Sequence, residues 1–193
     1  MLRALIGAVA AAVAMSVIGL LFFMTPLAGL GVGRLGDNQA AAVQQALAAN
    51  VPATGTYHVP DPATRAQSEM FSRGPVAIVG YNMRGFSASG SSLIIGGFVH
   101  MLVVALLLAL FLHSLSRYVP GFGERLKIAG IAIAGAAIFM RLRGPIWDHQ
   151  DWTYAIYSFV AEIVMLAVAA VIILKLLPRQ AAMAAPAGTT SDL

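Results

Sequence analysis

The sequence predicts an α-helical integral membrane protein, a four-helix transmembrane bundle with a small extracytoplasmic α+β cap inserted between helices 1 and 2. Three observations predict it. The 193 residues are 59% hydrophobic and 10% charged, whereas a soluble domain carries about 25% charged residues. Four apolar segments, at residues 5–24, 93–115, 125–142 and 154–177, approach the roughly 20 residues that a helix needs to cross a hydrocarbon core about 30 Å thick. Between the first two, residues 25–92 carry the Gly, Pro and β-branched punctuation of a small folded unit.

The first segment, "MLRALIGAVAAAVAMSVIGLLFFMTP", has a small-residue "AVA" that resembles a signal-peptidase site. Its apolar character runs on through Phe22, Phe23 and Met24 to Pro26, longer than the 7–15 residues or so of a secretory core. An uncleaved anchor over residues 1–24 is therefore expected. Ala8, Ala12 and Ser16 recur at intervals of four, a spacing that lets a second helix approach closely.

In the stretch 25–92, "GLGVGRLG" at 29–36 lacks the Lys-Ser/Thr ending of a phosphate loop and reads as a turn away from the membrane. "GDNQAAAVQQALAAN" predicts a helix starting after Asp37, with that side chain as cap, and ending at Asn50. "TGTYHVP" and "GPVAIVGYN" read as strands. Between them, "DPATRAQSEMFSR" offers Asp61 as cap and Pro62 at the first helical position. The result is an αβαβ-like cap too small to bury much core, expected to pack on the outer ends of the membrane helices. "RGFSASGSS" contains Ser87 and Ser89 but no Gly-x-Ser-x-Gly elbow and no base for either serine, so it reads as the lead-in to the second helix.

The combination "AAVQQALAANVPATGTYHVP", "RGPVAIVGY" and a hydrophobic bundle resembles a group of small uncharacterised bacterial four-span inner-membrane proteins. In that group a helix leads into a Gly-x-Tyr-x-x-Pro strand, here Gly55, Tyr57 and Pro60, and a Gly-Pro strand follows, here Gly74 and Pro75. The resemblance implies an architecture and brings no catalytic residue and no cofactor.

The third hydrophobic segment is the most interrupted, with only 128–140 lying between Lys127 and Arg141. It crosses if those long cations snorkel to the interfaces. With the N-terminus inside, the cytoplasmic side collects Arg3, Arg117, Arg125, Lys127, Lys175 and Arg179, while the outer loop before the fourth helix holds only Arg141 and Arg143. That asymmetry predicts cytoplasmic termini, and the resemblance implies that the membrane is a bacterial inner membrane. The formal net charge of +4 is then a matter of topology, and no basic run with interleaved aromatics points to nucleic acid. The remaining residues, 178–193, are expected to form a disordered cytoplasmic tail.

Glu162 lies within the apolar run 157–177. It is about eight residues, or about 12 Å, from the outer end of the fourth helix, and His100 is at a similar depth in the second. Ser158 precedes Glu162 by four residues, and Gly96 and Gly97 precede His100, the small and polar neighbours that bundle interiors favour. A carboxylate in hydrocarbon loses its charge or acquires a partner, so Glu162, His100 and Arg141 are expected to form an intramembrane polar cluster. It serves either as a structural clamp or as a proton relay. Haem on His100 would want a second facing histidine. His113, thirteen residues on, lies about 140° round the same helix, so no cofactor is expected.

The loop "RLRGPIWDHQDWTY" combines acids, a histidine and aromatics. Trp147, Trp152, Tyr154 and Tyr157 are predicted interfacial anchors at headgroup depth. Asp148, His149 and Asp151, with His58 from the cap, are the weak candidates for a metal, and anchoring is the preferred role for the loop. Taken together, the sequence predicts a non-enzymatic accessory, assembly or envelope-interaction component. Its partners would be the lipid bilayer and a membrane or periplasmic protein or second copy. The alternative is a small proton- or ion-coupled transporter or channel subunit built on Glu162 and His100.

Overall fold

Alanines every three to four residues decide which faces of the long helices meet. In the computed structural model, which describes residues 2–87 and 90–177, helix α1 (Leu2–Phe23) buries Ala4, Gly7, Ala8, Ala11, Ala12 and Met15. Helix α7 (Trp152–Leu176) answers with Ala161, Met165, Ala169, Ala170 and Ile173. Small side chains let the backbones come together, and a Cβ at Gly7 would sit 3.4 Å from the Cα of Ile173. Close backbone approach of this kind is what dispersion between helices requires where lipid gives no hydrophobic drive. The other side of α1 takes α4 (Ser91–Leu115), which buries Ala105, Ala109 and Leu112. Helix α5 (Phe122–Arg141) lays Ala129, Ile133 and Ala137 against α7.

Three of these helices, α1, α4 and α7, are long and apolar enough to cross a membrane. The segment expected as the third crossing forms α5, but Glu124, Arg125, Lys127 and Arg141 all lie within its 20 residues, and it does not reach the same apolar standard. A short 3-10 helix (Pro26–Leu30) follows α1, with the Thr25 hydroxyl accepting from the Leu27 amide. Helix α6 (Arg143–Trp147) is a single turn between α5 and α7.

The chain divides into two compact units, one running through Gly33 and resuming at Ser91, the other spanning Arg34–Gly90. Within the second, the order is α2 (Asp37–Asn50), β1 (Gly55–Val59), α3 (Arg65–Arg73) and β2 (Ala77–Tyr81). The strands pair antiparallel with Tyr57 opposite Val79 and His58 opposite Ile78. Alternation of side chains puts Gly55, Tyr57, Val79 and Tyr81 on a half-covered face and Thr56, His58, Ile78 and Gly80 on an exposed one.

Both predicted caps in this unit are corrected. Asp37 is the first residue of α2 and caps nothing; the Gly36 amide donates instead to Gln39 Oε1 at 3.1 Å. Helix α3 starts at Arg65, with Thr64 Oγ1 accepting from the Gln67 amide. Asp61 uses its carboxylate two residues on, at the Ala63 amide, a local turn that competes with helix. The predicted tail, 178–193, and Ser89 lie outside the described residues.

Candidate functional site

The stripe of α5 that faces α7 steps by four from Arg125 through Ala129, Ile133 and Ala137, and the next step is Arg141. That phase aims the Arg141 guanidinium at α7, where its Nη2 donates to Glu162 Oε1 and the two form an ion pair. Glu162 is ten residues beyond Trp152, about 15 Å along the axis at 1.5 Å per residue. The long arginine stem spans the difference in depth, so Arg141 turns inward to the acid.

His100 takes no part. It is exposed on α4, and from Ala105 of the buried stripe it lies five residues, or about 140°, round the helix. Equal depth placed it beside Glu162 in the sequence reading, but depth carries no information about azimuth, and α4 packs on α1. The expected three-residue cluster is thus an arginine–glutamate pair.

Two more polar atoms at this level have no hydrogen-bond partner among the described residues, Arg141 Nε and Ser158 Oγ. Ser158, one turn before Glu162, is 1% exposed. An unsatisfied buried group of this kind costs about 1–3 kcal/mol.

Arg125, expected as a flanking cation, is buried. Its Nε donates to the Val119 carbonyl and its Nη2 to that of Pro120 at 3.0 Å, tying the α4–α5 turn to the start of α5. The signal for it in the sequence is its phase, four residues before Ala129. Tyr157, one of the expected anchors, also makes contacts between helices. Its hydroxyl donates to the Phe22 carbonyl at the end of α1 and its ring packs against Phe22 and Phe23, with centroids 5.7 and 6.0 Å away. It ties α7 to α1, whereas Trp147, Trp152 and Tyr154 are exposed.

In the loop before α7, Asp151 caps the helix. Its Oδ1 accepts from the Thr153 amide at 3.1 Å and its Oδ2 from Tyr154 at 2.9 Å. These bonds, Tyr154 first, hold its carboxyl below the usual aspartate range. Asp148 closes α6 through its own amide, and His149 has a left-handed backbone, φ 50°. His58 is exposed on β1. Among the described residues no three His, Asp or Glu side chains gather as a metal site requires. Comparison with family models, curated proteins and solved structures found no match.

Proposed function

We propose that this chain is a non-enzymatic interaction subunit of a bacterial inner membrane, with four crossings, cytoplasmic termini and the Arg34–Gly90 unit on the outer side. One observation carries the interaction role. Among the described residues of that unit none is buried, yet it exposes Leu35, Met70, Val76, Ile78, Met83 and Phe86. A unit this small is marginal even with a core, and exposed apolar groups in number mark a surface that another protein covers. Strand β1 with Pro60 just after it, and Gly74 and Pro75 ahead of β2, are also the segments on which the resemblance to small four-span inner-membrane proteins rests.

A fourth crossing by α5 is supported by what its terminal arginines do. Arg125 is bonded to loop carbonyls and the Arg141 charge is paired with Glu162, so neither needs to turn its charge to lipid. The transporter reading is weaker because arginine does not give up its proton. Glu162 is paired with that arginine, and the other expected partner, His100, is on another face.

The test is site-specific photocrosslinking of the full chain in its native membrane, with the crosslinker at Ile78, Met83 or Phe86. The expected product joins the chain to a second polypeptide, either another copy or a different protein, and is lost in Met70→Asp. Absence of any such product at all three positions, with the unit resistant to protease, overturns the proposal.

A further inference from the structure

Between the end of α5 and the first turn of α7 the chain encloses a cavity of about 140 Å³ walled by Arg141, Arg143, Asp148, Gln150, Asp151 and Tyr154. Its floor is built. The Gly144 carbonyl accepts from the amides of Asp148, at 2.9 Å, and Gln150, at 3.3 Å. The Gln150 side chain then lies where a Cβ at Gly144 would be, 2.5 Å from its Oε1.

Four charges line this space, and two are already committed. Arg141 is paired with Glu162, and Asp151 is engaged by the Thr153 and Tyr154 amides. Arg143 and Asp148 remain. They face the same cavity with opposite sign, and among the described residues neither has an ion-pair partner. Arg141 also lines the space, but its Nε is buried away from it. The cavity therefore presents an unmet guanidinium, Arg143, and an unmet carboxylate, Asp148, to the same space. Tyr154 lines it, and the exposed Trp147 and Trp152 adjoin its lining residues Asp148 and Asp151 along the chain; tryptophan and tyrosine settle at headgroup depth.

We infer that this cavity binds a phosphate–ammonium zwitterion, the phosphoethanolamine group. The phosphate would sit on the Arg143 fork, because guanidinium matches phosphate oxygens in plane and charge. The ammonium would donate to the Asp148 carboxylate. A choline group has no N–H to give Asp148, and a glycerol headgroup brings no cation, so both are discriminated against. The group can arrive on a phospholipid or as the free solute. The lipid route rests on the membrane reading above; the chemistry of the cavity does not.

The chain's two tryptophans, Trp147 and Trp152, flank the site and report on it. The full chain in phosphatidylcholine nanodiscs is titrated with short-chain phosphatidylethanolamine, phosphatidylglycerol, free phosphoethanolamine and inorganic phosphate, reading tryptophan fluorescence. The expected result is a saturable change with an ethanolamine-bearing ligand at a midpoint at least about tenfold below those of phosphatidylglycerol and phosphate. A response to free phosphoethanolamine as strong as to the lipid makes the solute the source; a response to the lipid alone makes it the headgroup. Asp148→Asn should remove the tenfold preference, and Arg143→Gln should weaken every phosphate-bearing ligand. Equal midpoints for all anions, or no saturable change, overturn the inference. If either variant fails to fold, the ranking of ligands on the unaltered chain still decides. Should the chain not enter nanodiscs, the free-solute titration in detergent tests the cavity separately from the membrane reading.

Discussion

The ring of Tyr157 lies so close to Gly31 that a Cβ on that glycine would fall 2.6 Å from the ring's Cγ. The same tyrosine donates its hydroxyl to the Phe22 carbonyl, so the chain leaving α1 is threaded between a ring and its hydrogen bond. Gly31→Ala must push the ring or the turn aside, and overpacking of that kind costs about 1–3 kcal/mol. Gly33→Ala, with nothing within 4 Å, should leave stability unchanged. Thermal unfolding in mild detergent compares the two, and Tyr157→Phe should lower stability by about 1 kcal/mol through the lost hydrogen bond.

Removing one member of the Arg141–Glu162 pair strands the other. For a fully buried pair that costs about 3–5 kcal/mol. Here the side chains are 37% and 23% exposed, and screening brings the expectation to about 1–3 kcal/mol. Glu162→Gln and Arg141→Gln should each destabilise, and Arg141→Met with Glu162→Leu should cost less than either alone. Proton flux into vesicles should be absent in the unaltered chain and in Glu162→Gln alike; flux that Glu162→Gln abolishes would revive the transport reading.

Arg125 and Lys127 are neighbours in the sequence with opposite fates. Arg125 is 4% exposed with two carbonyls on its guanidinium, while Lys127 is exposed. Arg125→Ala should cost about 3–6 kcal/mol, since hydrogen bonds to a charged group contribute about 1.5–3 kcal/mol each. Lys127→Ala should stay within about 0.5 kcal/mol. Denaturation of the two variants side by side checks the contrast.

Asp151 gives α7 an acid-labile start. Its carboxyl is held below the usual range by the Tyr154 and Thr153 amides, so it takes up its proton less readily folded than unfolded. The stabilisation is therefore fully present above the ordinary aspartate pKa of about 3.9 and is lost as pH falls through the lower folded value. Amide protection at Thr153 and Tyr154, corrected for intrinsic exchange, should fall in that acid window. Asp151→Asn, which caps without titrating, should give a flat profile.

What was legible in the sequence was whatever depends on one-dimensional pattern. The apolar lengths of α1, α4 and α7, both strands, and the extent of α2 follow from runs and punctuation. Glu162 stands out in the sequence because a charge in an apolar run is expensive wherever the helix points. His100 was grouped with it on depth alone, and depth fixes one cylindrical coordinate of two; the second depends on which neighbour each helix chooses. The α3 start moved from Asp61 to Thr64 because two capping side chains three residues apart compete, and the choice between them is made by local backbone geometry that residue types do not encode. Arg125 could have been found by following the alanine stripe of α5 one step back.

The pairing of α1 with α7 has a consequence for how the chain is made. More than a hundred residues separate these two helices, and at about 5–20 residues per second the ribosome takes several seconds or longer to supply the second after the first has emerged. For that interval the alanine face of α1 awaiting α7 has no mate within its own chain. An early translational stop therefore leaves a newly inserted α1 whose bare seam can be taken by another helix, and the length of that wait is set by protein synthesis, whatever the folded state's stability.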